Sequence, residues 1–310
     1  MATSPTIEIL DLGFRATPLA IGAFLVRADR GPILIETGPA STLENLKARL
    51  AEHGVEPTDV RHLLVTHIHF DHAGAAGWWA TRGTRVWVHP KGAPHLIDPS
   101  RLEASARRIY GDAMDELWGP ITPAPAERVS TLEDGQTIEI EGLRVTALDT
   151  PGHANHHLVY RIGDVAFTGD LAGIRLPGTE WIDLPAPPPE FDLEKWKASL
   201  DRLRGEDLAK IYRTHFGPSE DVAAEIDRTE ALLEEIAEYI RGLLAGDLDR
   251  DSMIERYADW VRRRGVAAGA GAETLRACEV TNPRDMSVDG IVRYWRKREE
   301  RAAAAAPGPR

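Results

Sequence analysis

Residues 65–74 read VTHIHFDHAG, which places His67, His69, Asp71 and His72 within six positions of a chain that holds 11 histidines in all. Imidazole nitrogens and carboxylate oxygens are ligands that zinc and other divalent first-row cations accept. Crowded on one short loop behind an apolar run, they resist joint burial unless something cationic sits among them. Three further candidates each stand where a strand-like run gives way to a turn: His153 ends TPGH, Asp170 ends FTGD, and His215 lies in YRTHFG. Singly, each reads as an ordinary turn or core residue. Together, in this order, they point to a metal centre.

The ordered set resembles the signature of the metallo-β-lactamase-fold hydrolase superfamily, over about residues 5–220. The resemblance implies an α/β (α+β) fold, a four-layer αββα sandwich with its metals on loops at one sheet edge. It implies that His67, His69 and His153 hold one metal, that Asp71, His72 and His215 hold a second, and that Asp170 bridges both. The implied cofactor is a pair of divalent ions, zinc first, with iron or manganese compatible with the same ligands. Two ions about 3.5–4 Å apart would share a water, bring its pKa towards roughly 7 and polarise a carbonyl. Asp71, beside that water, is the catalytic candidate, passing a proton to the leaving group.

HIHFDHAG is similar to the glyoxalase II and acyl-homoserine lactonase branches. The implied activity is therefore hydrolysis of an ester, thioester or lactone of a small-molecule substrate. True β-lactamases of the superfamily generally lack a bridging Asp like Asp170 and are exported. A phosphodiesterase of the same fold is the alternative, because two metals also suit in-line phosphoryl displacement. A metal-bound interaction protein is a third reading, and the complete ligand set speaks against it.

Many relatives read TPGHTPGH where this chain has TPGHANHH. His157 falls on the second histidine position and reads either as a donor that orients a ligand or as a strand histidine satisfied by backbone. Strand alternation would turn His156 to the opposite face, with no role. Glu36 in LIETG stands where relatives often have Asp, and reads equally as a ligand-orienting group or a turn carboxylate. His62, His89 and His95 read as ordinary. Phe70, Trp118, Trp181 and Phe216 read first as packing and second as pocket wall. Arg293, Arg296, Lys297 and Arg298 in RYWRKREE read first as a solvated face and second as a seat for an anionic substrate tail.

The elements that must position these residues are legible as short runs. TIEIL, AIGAFLVRA, GPILIETG, RHLLVTH, TRVWVHP, QTIEIEGLRVTALDT, HHLVYRI and DVAFTGD are strand-like and punctuated by Gly and Pro. Ile211–Thr214 add a last strand before His215. STLENLKARLAEHG predicts a helix with Ser41 as its N-cap and Gly54 closing it. HAGAAGWWATRG predicts another helix, 101–118 a third, and one more starts near Asp192 after a Pro-rich loop. Residues 1–220 are expected to form the catalytic domain and 221–310 a helical extension.

Val222, Ile226, Leu232, Leu233, Ile236, Ile240 and Leu243 form an apolar helical stripe, which must bury against its own core or a second subunit of a homo-oligomer. The first option would lay the tail over the active-site edge. Further helices are expected around 253–261 and, restarting at about Ser287, 288–300. GVAAGAGA breaks them apart and AAAAAPGPR frays.

At 310 residues and 43% hydrophobic, the chain can bury a large core. Its net charge of −12, from 49 acidic against 37 basic residues, opposes a broad nucleic-acid interface. The single cysteine, Cys278, excludes an intrachain disulfide. Acidic residues interrupt the N-terminal stretch where a signal peptide needs apolar ones. No run approaches the roughly 20 apolar residues of a membrane span. A cytoplasmic protein with no membrane partner is the expectation.

Overall fold

The apolar runs at 33–35 and 63–64 show no strand alternation because both faces of their sheet are covered. Ile33, Ile35 and Leu64 share a core with Val145, Leu158, Tyr160 and Phe167. Leu34 and Leu63, of opposite parity, pack instead with Leu46, Leu50 and Trp79. The computed structural model describes residues 5–305.

One six-stranded sheet takes its strands in chain order: β1 (Thr6–Asp11), β2 (Gly22–Ala28), β3 (Gly31–Ile35), β4 (His62–Leu64), β5 (Arg85–Val88) and β6 (Val129–Thr131). The second does the same with β7 (Thr137–Ile140), β8 (Leu143–Asp149), β9 (Leu158–Ile162), β10 (Val165–Phe167), β11 (Lys210–Arg213) and β12 (Gly217–Ser219). Strands β3 to β6 run parallel, while β1–β2–β3 and β7–β8–β9–β10 are antiparallel. The hairpin between β7 and β8 turns on Glu141 and Gly142, both at positive φ, the conformation a two-residue hairpin turn requires.

Helices α1 (Leu43–Glu52), α2 (Phe70–Ala73), α3 (Ala76–Ala80), α4 (Ala93–Ile97), α5 (Ser100–Tyr110) and α6 (Met114–Trp118) belong to the first half. Of these, α1, α3 and α4 bury Leu46, Trp79 and Leu96 against the outer face of the first sheet. Helices α7 (Leu193–Arg204), α8 (Val222–Ala245), α9 (Arg250–Ala267), α10 (Ala272–Thr281) and α11 (Arg284–Ala305) belong to the second. Trp196, Leu200 and Leu203 of α7 pack on Leu148, Val159, Ala166 and Ile211 of the second sheet. The result is the four-layer αββα sandwich, with a helical C-terminal region.

Several local expectations are corrected. Ser41 is not an N-cap: a single 3-10 turn precedes α1, and Ser41 Oγ donates to Leu117 O at 2.7 Å. HAGAAGWWATRG forms two short helices, because Ala75 N–H turns outward to Gly38 O and Thr37 Oγ1, both at 3.2 Å. Gly74 allows this approach; a Cβ there would stand 2.9 Å from Pro39 Cα. Helix α9 continues into GVAAGAGA as far as Ala267. Gly265 serves close packing, since a Cβ would meet Leu275 at 2.6 Å. The last helix begins at Arg284, ahead of Ser287, and extends through Ala305 of the expected frayed end; residues 306–310 lie outside the described ones. The three-residue strands β6 and β12 and the helix α10 had no periodic signal long enough to read.

The α8 stripe is buried within its own chain, sharing one core with α7, α9, α11 and the loop 171–191. Val280 of α10 reaches across to the cluster that holds Leu117 and Trp118. The tail therefore buttresses the loop beside the seven candidate ligands and touches the first sheet's helices on the far side. Among the described residues, no helix is long and apolar enough to cross a membrane.

Candidate metal centre

All seven candidate residues follow strand C-termini at one edge. His67, His69, Asp71 and His72 follow β4. His153 follows β8, Asp170 follows β10 and His215 follows β11. Strands β8 and β10 are both antiparallel to β9, and β10 is parallel to β11, so the three deliver their loops to the same side. The sheets are joined there by Leu158 N donating to Thr66 O at 2.7 Å, Tyr160 OH to Val65 O at 3.0 Å, and Gly22 N to Thr214 O at 2.8 Å.

The side chains converge. His69 Nδ1 lies 3.0 Å from His67 Nε2 and 2.9 Å from His153 Nε2. His215 Nε2 lies 3.3 Å from His72 Nε2 and 3.4 Å from Asp71 Oδ2, which is 3.6 Å from His72 Nε2. Asp170 divides between the two groups: Oδ1 lies 3.2 Å from His72 Nε2 and 3.3 Å from His215 Nε2, and Oδ2 lies 3.3 Å from His153 Nε2. Four tetrahedral bonds of about 2.0–2.1 Å put neighbouring ligand atoms about 3.3 Å apart, which is the spacing seen. His67–His69–His153, His67–His72–Asp170 and Asp71–His72–His215 each converge closely enough to hold an ion.

The far side of each ring decides which nitrogen faces inward. His153 Nδ1 donates to Pro185 O at 2.9 Å and His215 Nδ1 to Ala20 O at 2.8 Å; a carbonyl can only accept, so each Nδ1 carries a proton and each ring turns its Nε2 into the cluster. His72 Nδ1 meets Glu36 Oε1 at 3.2 Å, and His67 Nδ1 meets Thr66 Oγ1 at 3.1 Å. Unless one of those Nε2 atoms carries a proton, Asp170 Oδ1, which is buried, has no hydrogen-bond partner among the described residues. A buried carboxylate oxygen left so is costly without a cation.

The electrostatics divide the site. Burial, then the neighbouring imidazoles His72, His69 and His153, hold His67 well below the ordinary histidine range; burial and His153 bring His69 down to about 3. Burial also lowers His153. These three stay neutral and ligand-ready. In the other half burial would lower His72 and His215, but Asp170 and Asp71 reverse it, raising His72 well up and His215 to about 9. Burial opposes the charge on Asp71 and Asp170, yet His72, His153 and His215 prevail, with Asp71 at about 2. A proton there occupies the position a cation would take.

Several residues left open or missed by sequence reading gain places. Glu36 is fully buried and takes Thr66 N–H, Thr66 O–H and His72 Nδ1–H together, so it is no mere turn carboxylate. His157 is buried behind the bridging position: Nδ1 meets Thr150 Oγ1 at 2.8 Å, and Nε2 accepts from Asp170 N at 3.2 Å. His156 is corrected: it lies in a turn ahead of β9, where alternation does not apply, and its ring sits 5.5 Å from that of His69.

Tyr110 was not singled out. Burial raises its phenol, with the charges of Asp71 and Asp285 adding to this, and its ring lies 5.3 Å from that of Trp118. Phe70 and Trp118 pack near it with their rings tilted and 5.9 Å apart, whereas Trp181 and Phe216 belong to the packed core. Arg293, Lys297 and Arg298 do not form a featureless face. With Lys195 and Arg301 they line a groove of about 250 Å³ that reaches Asn155, two residues past His153; Arg296 is outside it.

The Metallo-beta-lactamase superfamily profile matches residues 16–215. The fold is similar to metallo-beta-lactamase family protein TTHA1429 from Thermus thermophilus, with a TM-score of 0.69 and 22% identity over 96% of this chain and 94% of that one. In sequence the chain is 28% identical over 145 residues to the metallo-beta-lactamase fold-containing protein ST1585 of Sulfurisphaera tokodaii, which is 46% of this chain and 54% of the relative. It is 25% identical over 208 residues to an atrochrysone carboxyl ACP thioesterase of Aspergillus fumigatus, covering 66% of this chain and 39% of the relative. The chain thus spans about half or less of the length of these curated relatives. The profile covers every one of the seven converging residues and most of both sheets, and the chain belongs to the metallo-β-lactamase superfamily.

Proposed function

We propose that the protein is a dinuclear metal-dependent hydrolase acting on the carbonyl of an ester, thioester or lactone. The divided carboxylate of Asp170 carries this reading: one buried oxygen faces His72 and His215, and the other faces His153. Such a carboxylate would serve two cations, one that His67, His69 and His153 would hold and one that Asp71, His72 and His215 would hold. Zinc suits the nitrogen-rich set, and iron and manganese are compatible with it. Bound there, the pair supplies Lewis acidity and an acidified water.

The chain's own contribution is placement and proton handling. Asp71 is 20% exposed at its side chain where Asp170 is 3% exposed, so of the two carboxylates Asp71 is the one open to an incoming substrate. It is the group to hand a proton to the leaving atom. Tyr110, its phenol raised by burial, remains a neutral O–H donor on the side of Phe70 and Trp118.

Two observations support an acyl substrate with an anionic end. The Aspergillus fumigatus relative is named a thioesterase. In the groove beside Asn155, Glu190 bonds Asn155 N, Asp192 caps α7 and Glu194 binds Tyr294 and Arg298. Arg293, Lys297 and Arg301 are spaced i, i+4, i+8 on α11, and none has a carboxylate within ion-pair distance among the described residues. The groove lining carries five basic side chains, Lys195, Arg293, Lys297, Arg298 and Arg301, against three carboxylates, Glu190, Asp192 and Glu194.

The test compares kcat/KM for esters, thioesters, lactones, phosphodiesters and β-lactams on one metal-loaded preparation. The acyl classes are expected to lead. A phosphodiester ahead by more than about tenfold, roughly 1.4 kcal/mol of barrier, would assign the site to phosphoryl transfer instead.

A further inference from the structure

His153 is oriented by a carbonyl that regular structure does not hold. Its Nδ1 donates to Pro185 O at 2.9 Å, and Pro185 lies in the loop between Asp170 and α7. Proline has no N–H with which to anchor itself. The anchoring is done by its neighbours, and their partners come from the elbow between α10 and α11, about a hundred residues away. Asn282 Nδ2 donates to Leu184 O at 3.0 Å and to Asp183 Oδ2 at 3.1 Å. Ala186 N donates to Ser287 Oγ at 3.2 Å, and Ser287 Oγ donates to Asn282 Oδ1 at 3.1 Å. Arg284 pairs with Asp183. The backbone of α11 also touches the loop, since a Cβ on Gly290 would lie 1.9 Å from Ala186 O.

Asp183 and Asn282 are each 2% exposed and Ser287 is fully buried. A buried polar network in which every partner is met specifies one arrangement of the backbone it grips. Here it grips both sides of the carbonyl that fixes the tautomer and direction of one candidate ligand.

We propose that Asn282, with Ser287, is a positioning residue for His153, so that the C-terminal helices tune the cation held by His67, His69 and His153 and leave the one held by Asp71, His72 and His215 alone. This rests on the two-cation reading above, but half of its test needs no metal. In metal-free protein, nitrogen-15 NMR of the imidazoles reads the His153 tautomer. In metal-loaded protein, competition between zinc and a chelator reads the affinity of each equivalent.

Wild type is expected to hold His153 as the Nδ1–H form. Asn282→Ala is expected to mix the tautomers and to weaken one zinc equivalent by about 10- to 100-fold, with the other within twofold. Ser287→Ala is expected to do the same to a smaller degree, and serves if Asn282→Ala does not fold. Either variant, folded and keeping a pure Nδ1–H His153 with both affinities unchanged, would overturn the proposal. So would an equal loss at both equivalents, which is general loosening. A tautomer change in a protein that binds no zinc at all would retain the positioning role and refute the hydrolase reading instead.

Discussion

Glu36 Oε1 lies 3.2 Å from His72 Nδ1, and neither side chain is exposed. The same carboxylate takes both donors of Thr66, the residue before His67, and it does so from a backbone at φ +65°, unusual for a residue other than glycine. Glu36→Ala would strand three buried donors, at roughly 1–3 kcal/mol for each one left unmet. It is expected to lower the thermal midpoint by several degrees and to weaken metal binding by about 10- to 100-fold. Glu36→Gln keeps an acceptor and should lie between. Thermal unfolding and chelator competition check this, and an Ala variant matching wild type in both would remove Glu36 from the site.

How far the sequence discloses this centre depends on the range of the signal. The seven converging residues are readable because each follows a strand whose apolar run is visible locally, and strands of one polarity end at one edge. Tyr110 and the Asp183–Asn282 pair carry no local mark, and LIETG leaves Glu36 open between two roles. Glu36 matters through a backbone conformation that no spacing encodes. Tyr110 matters because α5 and α6 bring its ring against Trp118, which lies against Phe70, the residue before Asp71. The partners Asp183 and Asn282 are 99 positions apart. For His156 the period of two fails for a local reason, since the residue lies in a turn that comes before the strand.

Asp170→Ala is expected to empty the centre. It removes the one side chain that faces both groups and leaves His72, His153 and His215 without their carboxylate. Elemental analysis of wild type should give about two metal ions per chain and of the variant fewer than one, with hydrolysis lost. Wild-type protein that carries no metal, even after reconstitution, would end the hydrolase reading.

Asp71→Asn is expected to cost more rate than metal. The amide can still face His215 and His72 through its oxygen but cannot carry a proton. A fall in kcat of about 10²- to 10⁴-fold with near-normal metal content is the expected pair of results. Full turnover with both metals present would leave Asp71 a structural group only.

The groove cations predict a split in the kinetics. Replacing Arg293, Lys297 and Arg301 together by Ala should raise KM for acyl substrates with a distal negative charge and leave uncharged ones unchanged. The wild-type preference for anionic substrates should shrink with added salt, because these charges are exposed and screened. Equal KM changes for charged and neutral substrates would return the stripe to an ordinary solvated face.

Glu225 on α8 ties the tail to β11 through Arg213 at 2.5 Å, with both side chains buried, and it also pairs with Arg175. Glu225→Ala would leave Arg213 buried and uncompensated. A loss of about 3–5 kcal/mol is expected, measured by denaturant unfolding. A loss under about 1 kcal/mol, within the usual range for exposed pairs, would show that water reaches the guanidinium.

The first sheet is complete by residue 131 and the second begins at 137, so the chain divides into two halves at a single crossing. Four of the seven converging residues come from one half and three from the other. Neither half alone has the donors to close either proposed cation pocket together with Asp170. Cations seated there would be rivets across the seam, and their binding free energy would appear as adhesion between halves. Two fragments cut at the exposed Glu133–Gln136 turn would then be expected to associate more tightly when zinc is present, and to regain activity only as a pair.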